Sequence, residues 1–120
     1  GETRYDVAYP NEFEKITFDG NYLYAYNASQ STEPQKSSNG GFRCAKVQLN
    51  QGDVLIANVL GGDSARAIWA MKQDYSSTIK VADAGSRGDY APICYEATED
   101  CVVFINDSRT TPIDSYILRK

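Results

Sequence analysis

The chain has 120 residues, 42% of them hydrophobic and 23% charged, with a formal net charge of −4. This length suits one domain with a single core, and the acidic balance, with Lys and Arg scattered singly, argues against a nucleic-acid partner. The longest apolar runs, such as Ala67 to Met71, are too short for membrane insertion, and the absence of histidine removes the commonest general base. We therefore expect a binding domain rather than an enzyme.

Short runs of alternating apolar residues, separated by turn residues, fill most of the chain and predict strands. Residues 1–12 show no such period and are expected to form a lead-in segment. The predicted strands are Phe13–Phe18, Tyr22–Tyr26, Phe42–Leu49, Val54–Leu60, Ala65–Lys72, Thr78–Val81, Tyr90–Ala97, Cys101–Asn106 and Ile113–Leu118.

The segments between the first three strands carry turn and loop signals. Asp19-Gly20-Asn21 predicts a tight turn, and hence a hairpin between the first two strands. Residues 27–41 are the most polar part of the chain and predict a long surface loop. In the third strand the apolar residues change parity, so a bulge near Ala45-Lys46 is expected to keep them all facing inward.

The run Ala65–Lys72 is compatible with a helix, because Ala and Met are good helix formers. We favour a strand, since Trp69 and Met71 then share one face and the flanking charges share the other. Strands recurring about every ten residues, with no alternation of strands and helices, predict an all-β fold. The specific expectation is one antiparallel β-sandwich domain over residues 1–120, of jelly-roll type with about eight or nine strands.

Three cysteines, Cys44, Cys94 and Cys101, cannot all pair within the chain. Cys94 and Cys101 could face each other across a hairpin, and the alternative is that the thiols are free and buried. Their spacing contains no recognisable zinc ligand set.

Two tripeptides match functional motifs that a plain turn also explains. Gly62-Asp63-Ser64 is similar to the nucleophile segment of GDSL-type hydrolases, but the chain has no histidine to accept the serine proton. Arg87-Gly88-Asp89 spells the tripeptide that integrin ligands display on loops, so adhesion through it is one alternative function.

Tyrosine is unusually frequent, with nine residues, and three of them alternate along one predicted strand. Tyr22, Tyr24 and Tyr26 would project to the same face, with Leu23 and Ala25 on the other. If the tyrosines face water, they form an aromatic strip suited to stacking on sugar rings. If they face inward, they stabilise the sheet through cross-strand pairs.

Other candidate ligand contacts lie on or beside the loops at one end of the predicted sandwich. Trp69 could pack in the core or contribute a ring, and Asp63 could supply a polar contact. The candidate ligand-binding residues are Tyr22, Tyr24, Tyr26, Trp69, Arg66, Tyr75, Asp89 and Tyr90.

Acidic residues raise two further possibilities. The aspartates near predicted turns could bind calcium, although turn preference alone explains their positions. These residues are Asp19, Asp53, Asp63, Asp83, Asp89 and Asp107. An enzyme working through paired carboxylates would need Glu14 and Glu96, the candidates within strands, and we expect both to face water. We therefore assign no catalytic residue and no cofactor.

Residues 47–56 follow the pattern apolar-x-Leu-x-x-Gly-Asp-x-Leu and lead into a buried strand. Residues 90–105 then combine a tyrosine-containing strand, an Ala-Thr turn and a valine-rich strand. This arrangement, covering roughly Tyr22 to Ile105, resembles the small jelly-roll, carbohydrate-binding-module-like domains attached to bacterial SGNH-type esterases and other secreted glycan-processing proteins. The resemblance implies an extracellular, periplasmic or cell-surface accessory domain of a larger multidomain protein, with carbohydrate as the ligand class.

The functional expectation is therefore a non-catalytic module that binds a polysaccharide or glycan through an aromatic strip and end loops. The alternative is a structural or assembly domain of a larger surface protein or fibre. Exposure of the tyrosine row distinguishes the two, because a stacking surface must be reachable by its ligand.

Overall fold

A computed structural model of the chain describes residues 13–61, 66–82 and 92–120. This part of the chain forms nine β-strands and no helix. The strands are β1 (Phe13–Lys15), β2 (Asp19–Tyr24), β3 (Lys36–Leu49), β4 (Val54–Ala57), β5 (Ile68–Lys72), β6 (Thr78–Ala82), β7 (Ile93–Glu96), β8 (Cys101–Asp107) and β9 (Tyr116–Leu118). The predicted all-β class is confirmed. The run Ala65–Lys72, which was also compatible with a helix, contains strand β5, as predicted.

The described strands form two antiparallel sheets, with orders β1-β9-β4-β7 and β2-β3-β8-β5-β6. Apart from β2, the pairs are nested along the chain: β1 with β9, β3 with β8, β4 with β7, and β5 with β6. This nesting is the jelly-roll arrangement, in which one long hairpin rolls up into two facing sheets. Strand β2 is an addition at the edge of the second sheet.

The core lies between the two sheets and is supplied by alternate residues of the strands. From the five-stranded sheet it includes Leu49, Ile68 and Val103, and from the four-stranded sheet Leu55 and Ile117. Strand β8 is buried over its whole length, so it has packing partners on both faces. An unbroken apolar run such as residues 101–105 is typical of a strand covered on both sides.

The predicted hairpin between the first two strands is wrong. Strand β1 pairs with β9 in one sheet, whereas β2 pairs with β3 in the other. Between them, Ile16 donates its N–H to the Ser115 carbonyl, and both Ile16 and Phe18 pack against the core between the sheets. The chain therefore changes sheet over residues 16–18, because Ile16 is buried and Phe18 is partly buried against the core there.

The predicted long loop and bulge also differ from the structure. Strand β3 already begins at Lys36, so the second half of the polar segment 27–41 is strand. The register between β3 and β8 runs without a break from Arg43 to Leu49, so the bulge predicted near Ala45-Lys46 is wrong. No bulge is needed because residues of both parities are buried: Cys44 on one face and Leu49 on the other.

The register shift lies instead between β2 and β3. Gly20 pairs with Arg43 but Tyr22 pairs with Ser38, which leaves residues 39–42 opposite Asn21. Asn21 has a φ of 68°, a left-handed conformation that asparagine tolerates better than most residues. The ribbon formed by β2 and β3 therefore bends sharply at this point.

Beyond the bend, the ribbon lies back over the outer face of its own sheet. Asp19 pairs with Cys44, and Tyr24, five residues further along the strand, pairs with Lys36. In a straight ribbon, Asp19 and Tyr24 would therefore be about 17 Å apart. Yet the Lys36 Nζ is 2.7 Å from the Asp19 Oδ2. The Tyr24 N–H also donates to the side chain of Asn106, the β8 residue paired with Cys44, at 2.8 Å. We call residues 22–24 and 36–38 the folded ribbon.

Candidate functional site

Five aromatic rings gather on the outer face of the five-stranded sheet, partly beneath the folded ribbon. Trp69 and Phe104 are register partners and stack with centroids 5.5 Å apart. Tyr24 meets Phe104 edge-on at 5.0 Å, Tyr26 meets Trp69 edge-on at 5.4 Å, and Tyr75 lies 6.3 Å from Phe104. We call these rings the aromatic cluster. Such offset and edge contacts stabilise the pairs beyond simple burial.

The rings differ in their access to solvent. Trp69 and Phe104 are 1% and 0% exposed, and Tyr24 is 7% exposed. Tyr26 and Tyr75 are half-buried at the rim of the cluster. Only this rim could stack on a ligand without rearrangement of the cluster.

The solvent-facing row of three tyrosines, one of the two alternatives for this strand, is therefore not formed. Tyr22 is 39% exposed and lies under the Lys36 ammonium, 5.1 Å from the ring centroid, but Tyr24 is buried and Tyr26 falls beyond the end of β2. The physical reason is the bend, which places Tyr24 against Phe104. Leu23, on the opposite side of the ribbon, is buried as well.

Local backbone contacts position the rim. The turn after β5 places Tyr75 over the sheet: its N–H donates to the Lys72 carbonyl, and its φ is 63°. The Arg66 guanidinium lies 5.5 Å from the centroid of the Tyr26 ring. The Asn106 side chain fixes the main chain at Arg66 and at Tyr24, two residues before Tyr26, because its amide donates to both carbonyls.

The structure thus brings together most of the predicted ligand-binding residues that it describes. Five of them meet at the aromatic cluster, whereas Tyr22 contacts Lys36 instead; the five are Tyr24, Tyr26, Arg66, Trp69 and Tyr75. Asp89 and Tyr90 lie outside the described residues. Phe104 was missed, although the apolar run 101–105 around it indicated a strand buried on both faces.

A polar cleft of about 410 Å³ adjoins the cluster along the folded ribbon. Two ion pairs line it: Lys36 with Asp19 at 2.7 Å, and Lys46 with Glu33 at 2.6 Å. The remaining lining residues are Thr17, Tyr24, Pro34, Gln35 and Ala45. We call this feature the ion-pair cleft; Tyr24 belongs to both the cleft and the aromatic cluster.

The charge states within the cleft follow from these contacts. Hydrogen bonding to Asp19 raises the pKa of Lys36, and hydrogen bonding to Glu33 raises the pKa of Lys46. Burial raises the pKa of the Tyr24 hydroxyl, so this group stays neutral. At neutral pH the two ammonium groups therefore balance the two carboxylates.

A second cleft, of about 430 Å³, lies at the bend itself and includes Asn21 and Arg43 in its lining. The Arg43 side chain makes structural contacts here. Its Nε is 2.6 Å from the buried Asp107 carboxylate, it donates to the Ile113 carbonyl, and its guanidinium covers the Phe18 ring at 3.8 Å.

The aspartates considered for calcium are used in separate structural contacts. Asp19 pairs with Lys36, and the buried Asp53 accepts hydrogen bonds from the main chain of Asn50 and Lys120 and from Arg119. In the described ranges no group of three or more His, Cys, Asp or Glu residues could hold a metal ion. Asp63, Asp83 and Asp89 lie outside those ranges.

The cysteines lie apart and are free. Cys94 is exposed on β7, whereas Cys101 is buried on β8 in the other sheet, so the two cannot face each other across a hairpin. Burial raises the pKa of Cys44 and of Cys101 to about 11. Both buried thiols are therefore protonated and poorly nucleophilic at neutral pH.

The candidate carboxylate pair is also separated. Glu14 on β1 and Glu96 on β7 are exposed, and their strands form the opposite edges of the four-stranded sheet. The tripeptides Gly62-Asp63-Ser64 and Arg87-Gly88-Asp89 lie outside the described residues. Where the chain is described, no helix is long and apolar enough to cross a bilayer.

The comparisons with known proteins add no relative: no protein-family model, curated protein or solved structure matches this chain.

Proposed function

We propose that this β-sandwich is a non-catalytic accessory domain of a secreted or cell-surface bacterial protein that binds carbohydrate on the outer face of its five-stranded sheet. The contact surface would be the rim of the aromatic cluster, where Tyr26 and Tyr75 are half-buried, together with Arg66. The observation that carries the proposal is the convergence of these side chains on one face, over a rigid floor of Trp69 and Phe104.

The physical argument is preorganisation. Tyrosine joins an apolar ring, which can stack on the C–H face of a sugar, to a hydroxyl that can bond sugar hydroxyls. A ring already held against Trp69 or Phe104 loses little conformational entropy when a ligand stacks on it. The neighbouring ion-pair cleft adds charged donors and acceptors beside the rim.

Affinity electrophoresis in gels containing plant, host-type or microbial polysaccharides tests the proposal. We expect retardation of the wild-type domain by at least one polysaccharide. Tyr26→Ala and Tyr75→Asn should weaken binding about tenfold, since one lost stacking contact costs about 1.4 kcal/mol. Asparagine is chosen at position 75 because it tolerates the φ of 63°.

The matched control is Tyr116→Ala, a half-buried tyrosine on the outer face of the other sheet. Retardation that is lost equally in Tyr26→Ala and Tyr116→Ala would contradict the assigned face. Absence of retardation by every polysaccharide would contradict carbohydrate binding.

A structural or assembly role is the second candidate. Two observations favour it: the burial of Tyr24, which leaves no exposed row of three tyrosines, and a separate apolar surface. On the outer face of the four-stranded sheet, Phe13 is 54% exposed and Val54, Ile56, Tyr116 and Leu118 are half-buried. If assembly is the function, Phe13→Ser and Ile56→Ser should abolish the association, whereas Tyr26→Ala should leave it unchanged.

A further inference from the structure

We propose that the ion-pair cleft binds a neutral, polyhydroxylated sugar unit and so selects uncharged over acidic glycans. This inference rests on the proposed carbohydrate-binding function and names the ligand class and a second contact region for it. The cleft lies beside the rim of the aromatic cluster, and Tyr24 forms a wall shared by both.

The charge balance of the cleft argues against an ionic ligand. Lys36 and Lys46 each already have a carboxylate partner, at 2.7 and 2.6 Å. An acidic sugar would have to displace Asp19 or Glu33 from its lysine, or remain close to that like charge. Either outcome costs electrostatic energy, whereas a neutral ligand leaves both pairs intact.

The hydrogen-bonding capacity of the pairs matches sugar hydroxyls. A lysine ammonium has three donors and an ionised carboxylate has about four acceptor sites, so one mutual bond leaves both groups with capacity to spare. Each pair therefore presents donors and acceptors side by side, as neighbouring hydroxyls on a sugar ring require. The mutual bond also holds the long lysine side chain of each pair in place before a ligand arrives.

Neutral groups in the cleft extend this match. Gln35 donates its amide to the Glu33 carbonyl at 3.2 Å, which orients the rest of the side chain. Thr17 supplies a hydroxyl, and the largely buried Pro34 and Tyr24 complete the lining. The volume of about 410 Å³ falls in the range of small-ligand pockets.

The cleft and the rim can be contacted by one chain of sugars. Lys46 lies opposite Phe104 in the register between β3 and β8, and the Tyr24 and Tyr75 rings lie 5.0 and 6.3 Å from the Phe104 ring. A glycan seated beside Lys46 could therefore continue over Tyr75 at the rim. This continuity favours an internal stretch of a polysaccharide over an isolated monosaccharide.

The test measures binding of the domain to neutral polysaccharides (a glucan, a mannan, a xylan and a galactan) and to acidic ones (polygalacturonate and alginate). We expect at least one neutral polymer to bind, with an affinity that changes less than about twofold between 50 and 500 mM salt, because no net charge is exchanged. Binding only to acidic polymers, weakened by salt, would overturn the inference and leave the proposed function standing.

Two double variants locate the site. Lys36→Met/Lys46→Met keeps most of the apolar stems but removes the donors and should weaken neutral-glycan binding at least about tenfold. Asp19→Asn/Glu33→Gln keeps the shapes but leaves two unbalanced cations, so it should lose neutral binding and gain salt-sensitive binding to polygalacturonate.

The control is Lys72→Met, which removes the lysine of another exposed ion pair, formed with Glu99 at 3.3 Å. It should bind like the wild type. If both double variants also bind like the wild type while Tyr26→Ala does not, the cleft assignment is overturned and the aromatic rim stands. If no polysaccharide binds the wild-type domain, both proposals fail.

Discussion

The outer faces of the two sheets differ in how far the rest of the described chain covers them. On the five-stranded sheet, Cys44, Trp69 and Phe104 are completely or almost completely buried, because the folded ribbon and Tyr75 lie over them. On the four-stranded sheet, the corresponding outward residues, such as Ile56 and Tyr116, remain half-exposed. The described chain therefore builds a second apolar cluster outside one sheet and leaves the other sheet open.

This difference indicates where a specific ligand site can be built. A covered face holds its rings in fixed positions and places ion pairs beside them, which is what a preorganised polar site requires. An open face offers apolar area without fixed polar partners, which suits association with another protein surface. The two proposed functions thus belong to opposite faces of the same domain, and variants on each face separate them.

The largest expected effect is the loss of the buried charge pair at the end of β8. The Asp107 carboxylate accepts hydrogen bonds from Arg43 and from the main chain of Leu60 and Arg109. Asp107→Ala leaves Arg43 without this carboxylate, so we expect the free energy of unfolding to fall by about 3–5 kcal/mol. Urea denaturation measures this change in the free energy of unfolding.

An exposed pair provides the comparison for Asp107. Removing Glu99, whose partner Lys72 is similarly exposed, should change the free energy of unfolding by less than about 1 kcal/mol. Equal destabilisation by Asp107→Ala and Glu99→Ala would contradict the role assigned to the buried pair.

A matched pair of tyrosines compares the two outer faces directly. Tyr24 is 7% exposed under the ribbon, whereas Tyr116 is half-buried on the open face. We expect Tyr24→Ala to lower the free energy of unfolding by about 3 kcal/mol, as for other buried aromatic residues, and Tyr116→Ala by about 1 kcal/mol. Similar losses in the two variants would mean that the faces are equally covered.

The four-stranded sheet has its own buried carboxylate, Asp53, which sets a pH dependence. Burial raises its pKa, but hydrogen bonds from the main chain of Lys120 and Asn50 and from Arg119 outweigh this and lower it. A lowered folded-state pKa stabilises the fold above the unfolded-state value of about 3.9, and this stability is lost as the pH falls through the folded-state value.

Replacing Asp53 with Asn should therefore lower the free energy of unfolding at pH 7 and flatten its decline below about pH 4. Urea titrations across this pH range measure the effect, and Asp114→Asn, at an exposed site, is the control. An unchanged acid slope in Asp53→Asn would show that other carboxylates carry the dependence.

Local sequence pattern was sufficient to predict the approximate position of each described strand, but not that residues 19–21 and 36–41 are also strand. The apolar runs 54–57 and 101–105 identified β4 and β8 without knowledge of their partners. The jelly-roll class was also predicted, since short strands with turn signals at regular spacing have few alternatives.

Pairing and coverage could not be predicted, because both depend on contacts between distant residues. The Asp19-Gly20-Asn21 segment has the composition of a hairpin turn, yet the burial of Ile16 and Phe18 between the sheets takes the chain to the other sheet. The interpretation of β2 by alternation assumed that only one face of the strand is buried. The bend instead buries Leu23 and Tyr24, which lie on opposite sides of the ribbon. The cleft arises from that bend, so no local motif indicated it.

Thiol labelling of the native protein tests most directly whether the folded ribbon covers its sheet. Cys44 lies on the covered face, Cys94 lies on the open face, and Cys101 lies between the sheets as an internal reference. Peptide mapping after brief treatment with iodoacetamide at about pH 8 should find Cys94 modified at least about 100-fold faster than Cys44 and Cys101, whose pKa values are raised to about 11. Modification of Cys44 as fast as Cys94, with Cys101 still protected, would show that the ribbon does not cover this face.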